Sequence, residues 1–138
     1  MDNNRAREPL GFEDWVRKLV GNLCEHFDLA GWSVQVKFPE ESKDSPYAEN
    51  SINGTYLGST LSVYPIAKRD FENGDIDRLV LALVHEVIHI LVDPFHDSML
   101  PFLSPSTTPA FMETLEQQTQ RLTMVFLKTL PKKLIPPR

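Results

Sequence analysis

Two hydrophobic periods alternate along this chain. Phe12, Trp15, Val16, Leu19, Val20, Leu23, Cys24 and Phe27 recur at steps of three, one and three, the spacing that lines one face of an amphipathic helix. Cys24 lies within that stripe and reads as a small core residue rather than a nucleophile or ligand. Residues 32–38, WSVQVKF, alternate apolar and polar and predict a half-buried strand. Residues 39–50 hold two prolines among polar residues and predict a loop. Residues 51–57 and 60–66 read as strands rich in Thr, Tyr, Val and Ile, with Gly58-Ser59 as their turn. Pro65 ends the last strand or places it at an edge. Asn73, Gly74 and Asp75 offer a helix start.

From Leu79 to Val92 every residue is apolar except His85, Glu86 and His89. A helix apolar on all sides must be buried, and Asp93-Pro94 is expected to stop it. Residues 97–107 predict a Ser/Pro-rich loop. Thr108 is the expected N-cap of a third helix over 109–130, with Pro109 at its first position and Pro131 beyond its end. The tail KKLIPPR reads as irregular. The order is helix, three strands, helix, helix. It predicts an α+β fold with a small three-stranded sheet, antiparallel or mixed, packed against helices.

The chain has 138 residues, 41% hydrophobic and 24% charged, which fits one domain over 1–138. A chain of this size buries enough apolar surface to fold without a metal or disulfide, so a metal in it points to function. Cys24 is the single cysteine and cannot form an intrachain disulfide. The net charge of −5 gives no sign of the basic face that nucleic acid needs. The short basic clusters Lys68-Arg69 and Lys132-Lys133 read as solvated surface. The opening MDNNRAREPLGF has no apolar core of a signal peptide, and uninterrupted apolar runs fall short of the roughly 20 residues of a bilayer span. The expectation is a cytoplasmic protein with neither a nucleic-acid nor a membrane partner, its oligomeric state open.

His85-Glu86-Val87-Ile88-His89 places His, Glu and His in an HExxH spacing. Residues four apart on a helix differ by about 40° in direction and about 6 Å in height. Both imidazoles can therefore reach one ion at roughly 2.0–2.1 Å. Glu86 points about 100° away from His85; it suits a general base acting on metal-bound water better than a third ligand. Three ionisable groups buried in an apolar helix are costly unless paired or metal-bound.

A catalytic zinc keeps three protein ligands and one open position. The metzincin pattern would put glycine at Val92 and histidine at Phe95, and both positions differ. The same spacing argues against the three-histidine endoribonucleases that mature ribosomal RNA. Peptide deformylase takes its third ligand from an upstream strand cysteine, whereas Cys24 sits on a helix. On the third helix the apolar stripe uses Phe111, Leu115, Leu122 and Phe126, helped by Met112 and Thr119. Glu113 falls nearly opposite this stripe, and Glu116 about 100° from its centre. Glu116 is the favoured third ligand, with Glu113 and His96 as alternatives.

With HEVIH at 85–89 and Glu116 within ETLEQQTQRL at 113–122, the chain resembles the gluzincin branch of the zincin metallopeptidases. Its length suggests the minimal, single-domain type found in prokaryotes and their phages. The resemblance covers about a third of the chain. It implies a zincin-like fold with an active-site helix followed by a glutamate-bearing helix, and a zinc-activated water with Glu86 as base. It also implies a peptide or protein substrate lying along a sheet edge. Residues 60–64, TLSVY, are the strand expected at that edge. Tyr56, Tyr64 and His96 are the candidates for the partner of a developing oxyanion; spacing singles out none of them, and His96 reads equally as a surface residue after the helix stop. A binding or regulatory protein on the same scaffold, and a zinc amidohydrolase with a non-peptide substrate, are the alternative functions.

Overall fold

The computed structural model describes residues 8–40 and 45–138. The leader reading of the first residues, and the centre of the loop expected over 39–50, fall on 1–7 and 41–44, outside the described residues.

Helix α1 spans Phe12–His26. Its apolar stripe is buried as the periodicity predicts, through Phe12, Trp15, Val16, Leu19, Val20 and Leu23. Glu13 and Asp14 occupy its first turn, where negative charge favours the helix dipole. Cys24 is half-buried against the core, and burial raises its thiol pKa.

Three strands follow, β1 (Ser33–Lys37), β2 (Ala48–Asn53) and β3 (Gly58–Val63). The sheet order is β1-β3-β2, with β1 parallel and β2 antiparallel to β3. It is therefore a mixed sheet, and β3 is its central strand. The edge position expected for residues 60–64 is corrected: both sides of β3 are paired, and β1 and β2 form the edges. Registry puts Val34, Ser59 and Ile52 in one row, and Val36, Leu61 and Asn50 in the next. Ser59, Leu61 and Val63 are buried, which makes that the inner face.

The hairpin turn is also corrected. It lies at 54–57, not at Gly58-Ser59, which open β3 instead. Asn53 Oδ1 accepts a hydrogen bond from the Tyr56 amide at 3.3 Å, and Leu57 takes the left-handed conformation at φ 48°. The Asn53-Gly54 pair was the turn signal in the sequence.

Pro65 opens a further helix, α2 (Pro65–Glu72), rather than ending a strand. Proline suits the first helical turn because its missing N–H would be unsatisfied there. Ala67 and Phe71, four apart, are the buried side of this short helix, and Phe71 packs against Phe12 and Trp15.

Helix α3 (Ile76–Met99) starts after Asp75, as expected, but runs through Pro94 instead of stopping there. A 3-10 turn, Leu100–Phe102, continues it. Pro94 packs on the hairpin: a methyl group on Gly54 would sit 3.7 Å from the proline ring. Ile76–Phe102 is long and apolar enough, by length and composition alone, to cross a membrane. That differs from the sequence expectation, because the continuation past Pro94 joins two shorter apolar runs. In this fold α3 is the central helix. Leu79, Leu83, Val84, Val87 and Ile88 are fully buried, each such side chain contributing about 1.5–3 kcal/mol.

Helix α4 (Thr108–Thr129) lies on α3. Its buried residues are Thr119 and Thr123, whereas Leu122 and Met112 are largely exposed. Phe111, Leu115 and Phe126 are half-buried, so the docking face overlaps the stripe read from the sequence and is turned from its centre by about 50°, toward Thr123 and Glu116. The threonines satisfy their hydroxyls within the helix, donating to Leu115 O at 2.9 Å and Thr119 O at 2.8 Å. Beyond α4 the tail is not wholly irregular, since Lys132–Leu134 form a 3-10 turn. It is clamped to α1: Trp15 Nε1 donates to Pro136 O and Asn22 Nδ2 to Leu134 O, each at 2.8 Å.

Candidate metal centre

His85, Glu86 and His89 project from the middle of α3, and Glu116 comes from the third turn of α4. Ligand atoms of His85, His89 and Glu116 all lie within 4.8 Å of one another. The two Nε2 atoms are 3.1 Å apart. Glu116 Oε1 lies 3.0 Å from His85 Nε2, and its Oε2 lies 3.3 Å from His89 Nε2. These separations approach the edge of a tetrahedron with bonds near 2.0–2.1 Å, roughly 3.3 Å. The donor set fits a divalent ion.

Each imidazole is held from its other nitrogen. His89 Nδ1 lies 2.9 Å from Asp93 Oδ1, and His85 Nδ1 lies 3.4 Å from Thr123 Oγ1. Thr123 donates its proton to Thr119 O, so toward His85 it acts as an acceptor. Both rings thereby carry their proton on Nδ1 and turn the Nε2 lone pair inward, the tautomer a ligand needs. Burial pulls the His89 pKa down, but the hydrogen bond and charge of Asp93, with Glu86 and Glu116, outweigh it and hold it above its ordinary value.

The histidine side chains are 15% and 18% exposed, and Glu116 is 59% exposed. Two ligand atoms are therefore rooted in the core, and the third closes the group from the solvent side.

Glu86 stands next to the group but outside the convergent set. Burial pushes its carboxyl up to about 7; His89 pulls the other way, and Glu116, Asp93 and Glu49 push with burial. A carboxyl near neutrality is suited to taking and returning a proton. Its backbone carbonyl accepts a hydrogen bond from Asn50 Nδ2 at 2.9 Å, and the Asn50 side-chain oxygen accepts one from Ser59 Oγ. The inner face of the sheet thus pins α3 at the glutamate. Sequence reasoning missed Asn50, Asp93 and Thr123. Asn50 had a usable signal: it is a polar residue in an inward register. Asp93 had one too, at four residues beyond His89.

The other candidates are dispersed. Glu113 is exposed and outside the group. Tyr56 is 82% exposed on the hairpin, where it shares the outer sheet face with Ser33, Gln35 and Thr60. The Tyr64 hydroxyl donates to Glu49. His96 lies about two turns beyond His89 on α3 and lines a cavity with His89 and Glu116, but it is not one of the convergent residues.

Set against known proteins, the chain matches no family model, no curated protein and no solved structure. The functional reading rests on the geometry of the site.

Proposed function

We propose that the chain is a zinc-dependent metallopeptidase of gluzincin-like type, with His85, His89 and Glu116 as metal ligands and Glu86 as general base. The observation that carries this reading is the convergence of two Nε2 atoms and both Glu116 oxygens at 3.0–3.3 Å, with both Nδ1 atoms engaged elsewhere. Lone pairs packed so closely repel unless a proton or a metal cation lies among them, and two imidazole nitrogens with both carboxylate oxygens make a donor set suited to the metal. Zinc suits two imidazoles and a carboxylate, and when bound it supplies Lewis-acid polarisation and lowers the pKa of water.

The protein's own groups then divide the work. Asp93 and Thr123 fix the rings. Glu86, its proton affinity raised by burial, takes a proton from the attacking water and delivers it to the leaving amine. Asn50 holds the Glu86 backbone while that happens. Among the described residues β2 has no strand on its outer side, and it runs beside α3 at Glu86. An extended peptide pairing with that edge would pass the group.

The test is elemental analysis after zinc supplementation, paired with hydrolysis of an unfolded polypeptide. The expected result is about one zinc per chain, with cleavage abolished by a chelator. Glu86→Gln should keep the zinc and lose the cleavage. A protein that takes up no transition metal, or a Glu86→Gln variant as fast as the parent, would sink the proposal.

A further inference from the structure

Antiparallel strands pair through every second residue of each partner. The Tyr64 amide donates to Tyr47 O at 3.1 Å, and the register continues with Glu49 opposite Ser62 and Ser51 opposite Thr60. Tyr47, Glu49 and Ser51 therefore spend their backbone groups on β3. Ala48, Asn50 and Ile52 turn theirs to the outer edge of β2, which no strand occupies among the described residues. On a strand added antiparallel at that edge, the residue opposite Glu49 falls in the non-hydrogen-bonded pair, where Cα atoms are about 4.5 Å apart and side chains come closest. Glu49 is exposed, and its carboxylate accepts a hydrogen bond from the Tyr64 hydroxyl, which fixes its direction. An ionised carboxylate has about four lone-pair sites, so most of its accepting capacity stays open. Lys37, the cation in the same row of the sheet, stands beyond Ser62 at two strand spacings, about 9–10 Å. Asn50, the next residue of β2, holds the Glu86 carbonyl. Glu49 is thus one residue, about 3.3 Å along the strand, from the point where the sheet grips α3 at the base. The charges that face Glu86 are Glu116 from α4, Asp93 from α3 and Glu49 from β2, with His89 against them.

We propose that Glu49 sets the specificity of the β2 edge: it takes a basic side chain, arginine or lysine, on a substrate strand lying antiparallel to β2, within about two residues of the cleaved bond. The inference rests on the metallopeptidase reading above. Arginine suits the carboxylate best, because its planar fork matches two oxygens at once. An acidic residue at the same position meets Glu49 at the closest cross-strand approach and is repelled. Glu49 acts by contacting the substrate rather than the metal.

The experiment compares short peptides carrying Arg, its neutral isostere citrulline, or Glu at each position flanking the cleaved bond. Two readouts are taken on the zinc-loaded full chain: kcat/KM for the parent, and peptide affinity for the Glu86→Gln form, followed by fluorescence anisotropy. Arg exceeds citrulline by about three- to tenfold at one position in both readouts, and Glu is poorest there. The preference shrinks as salt rises from about 50 mM to about 500 mM. In Glu49→Gln, which keeps the acceptor for Tyr64, the ratio falls below about twofold with zinc content unchanged. In Glu49→Lys the order reverses in favour of Glu. A preference spread evenly over all positions, or one that survives in Glu49→Gln, belongs to the general negative charge of the site and overturns the assignment. Equal affinity for the three peptides overturns it as well. Absence of any cleavage overturns the peptidase reading instead, and the affinity series still decides the role of Glu49.

Discussion

His89 and Asp93 sit one turn apart on α3, joined at 2.9 Å between Nδ1 and Oδ1. The carboxylate fixes the ring and raises its basicity, two effects that strengthen a histidine ligand. Asp93→Ala should therefore weaken zinc binding by about tenfold to a hundredfold. Thr123→Val, which removes a neutral contact at 3.4 Å, should cost less. Competition against a chromophoric chelator measures both; a parent-like affinity in Asp93→Ala would remove the aspartate from the design.

Glu116→Ala should weaken zinc binding at least as strongly as Asp93→Ala, because it deletes a ligand rather than a ligand's support. Glu113→Ala should leave binding unchanged, since the α4 docking face, centred on Thr119 and Thr123, turns Glu113 away. His96→Ala should also spare the metal. A large loss in His96→Ala alone would overturn the ligand set.

The metal-free protein should be less stable at pH 8 than at pH 5. The folded-state pKa of Glu86 is raised from 4.5 to about 7. Between those values the folded carboxyl keeps a proton that the unfolded chain has released, so stability falls as pH rises. His89, also raised, acts in the same direction: its contribution is present at low pH and lost as pH climbs through its folded value. Glu86→Gln removes the first effect. Thermal unfolding in chelator should show the variant above the parent at pH 8, with the gap closing toward pH 5. A gap independent of pH would show that Glu86 is not buried as a carboxylate.

Zinc reverses the trend. Both histidines must be neutral to bind it, so affinity should fall below about pH 6. The rise in melting temperature on adding zinc should grow from pH 5 to pH 8. Occupancy that stays constant down to about pH 4.5 would count against histidine ligation.

Most of what positions the site was legible in the chain. The α1 stripe, the buried α3 segment with its three polar residues, and the start of α3 after Asp75 follow from hydrophobic period and turn chemistry. The grouping of Glu116 with the two histidines was also reached from helix geometry, through a stripe of which Thr119, Phe111, Leu115 and Phe126 face the docking side while Leu122 and Met112 do not. Thr119 and Thr123 are buried because they are small and bond their own helix, which hydrophobicity does not register. Pro94 read as a stop because the proline rule is local, while its packing on Gly54 is tertiary. Helix α2 was hidden by its length and by a proline that marks either a strand end or a helix start. The central position of β3 could not be read at all, since the parallel partner β1 comes before β2 in the chain.

The separation of 31 residues between His85 and Glu116 has a consequence during synthesis. A chain released from the ribosome only as far as α3 presents the two imidazoles and Glu86, but a metal caught there lacks Glu116, the third member of the group that could hold it. The set closes only when α4 has emerged and lain down on α3 through its two threonines. Under the proposed ligand set, tight metal capture therefore reports that the last quarter of the chain has arrived and packed on α3.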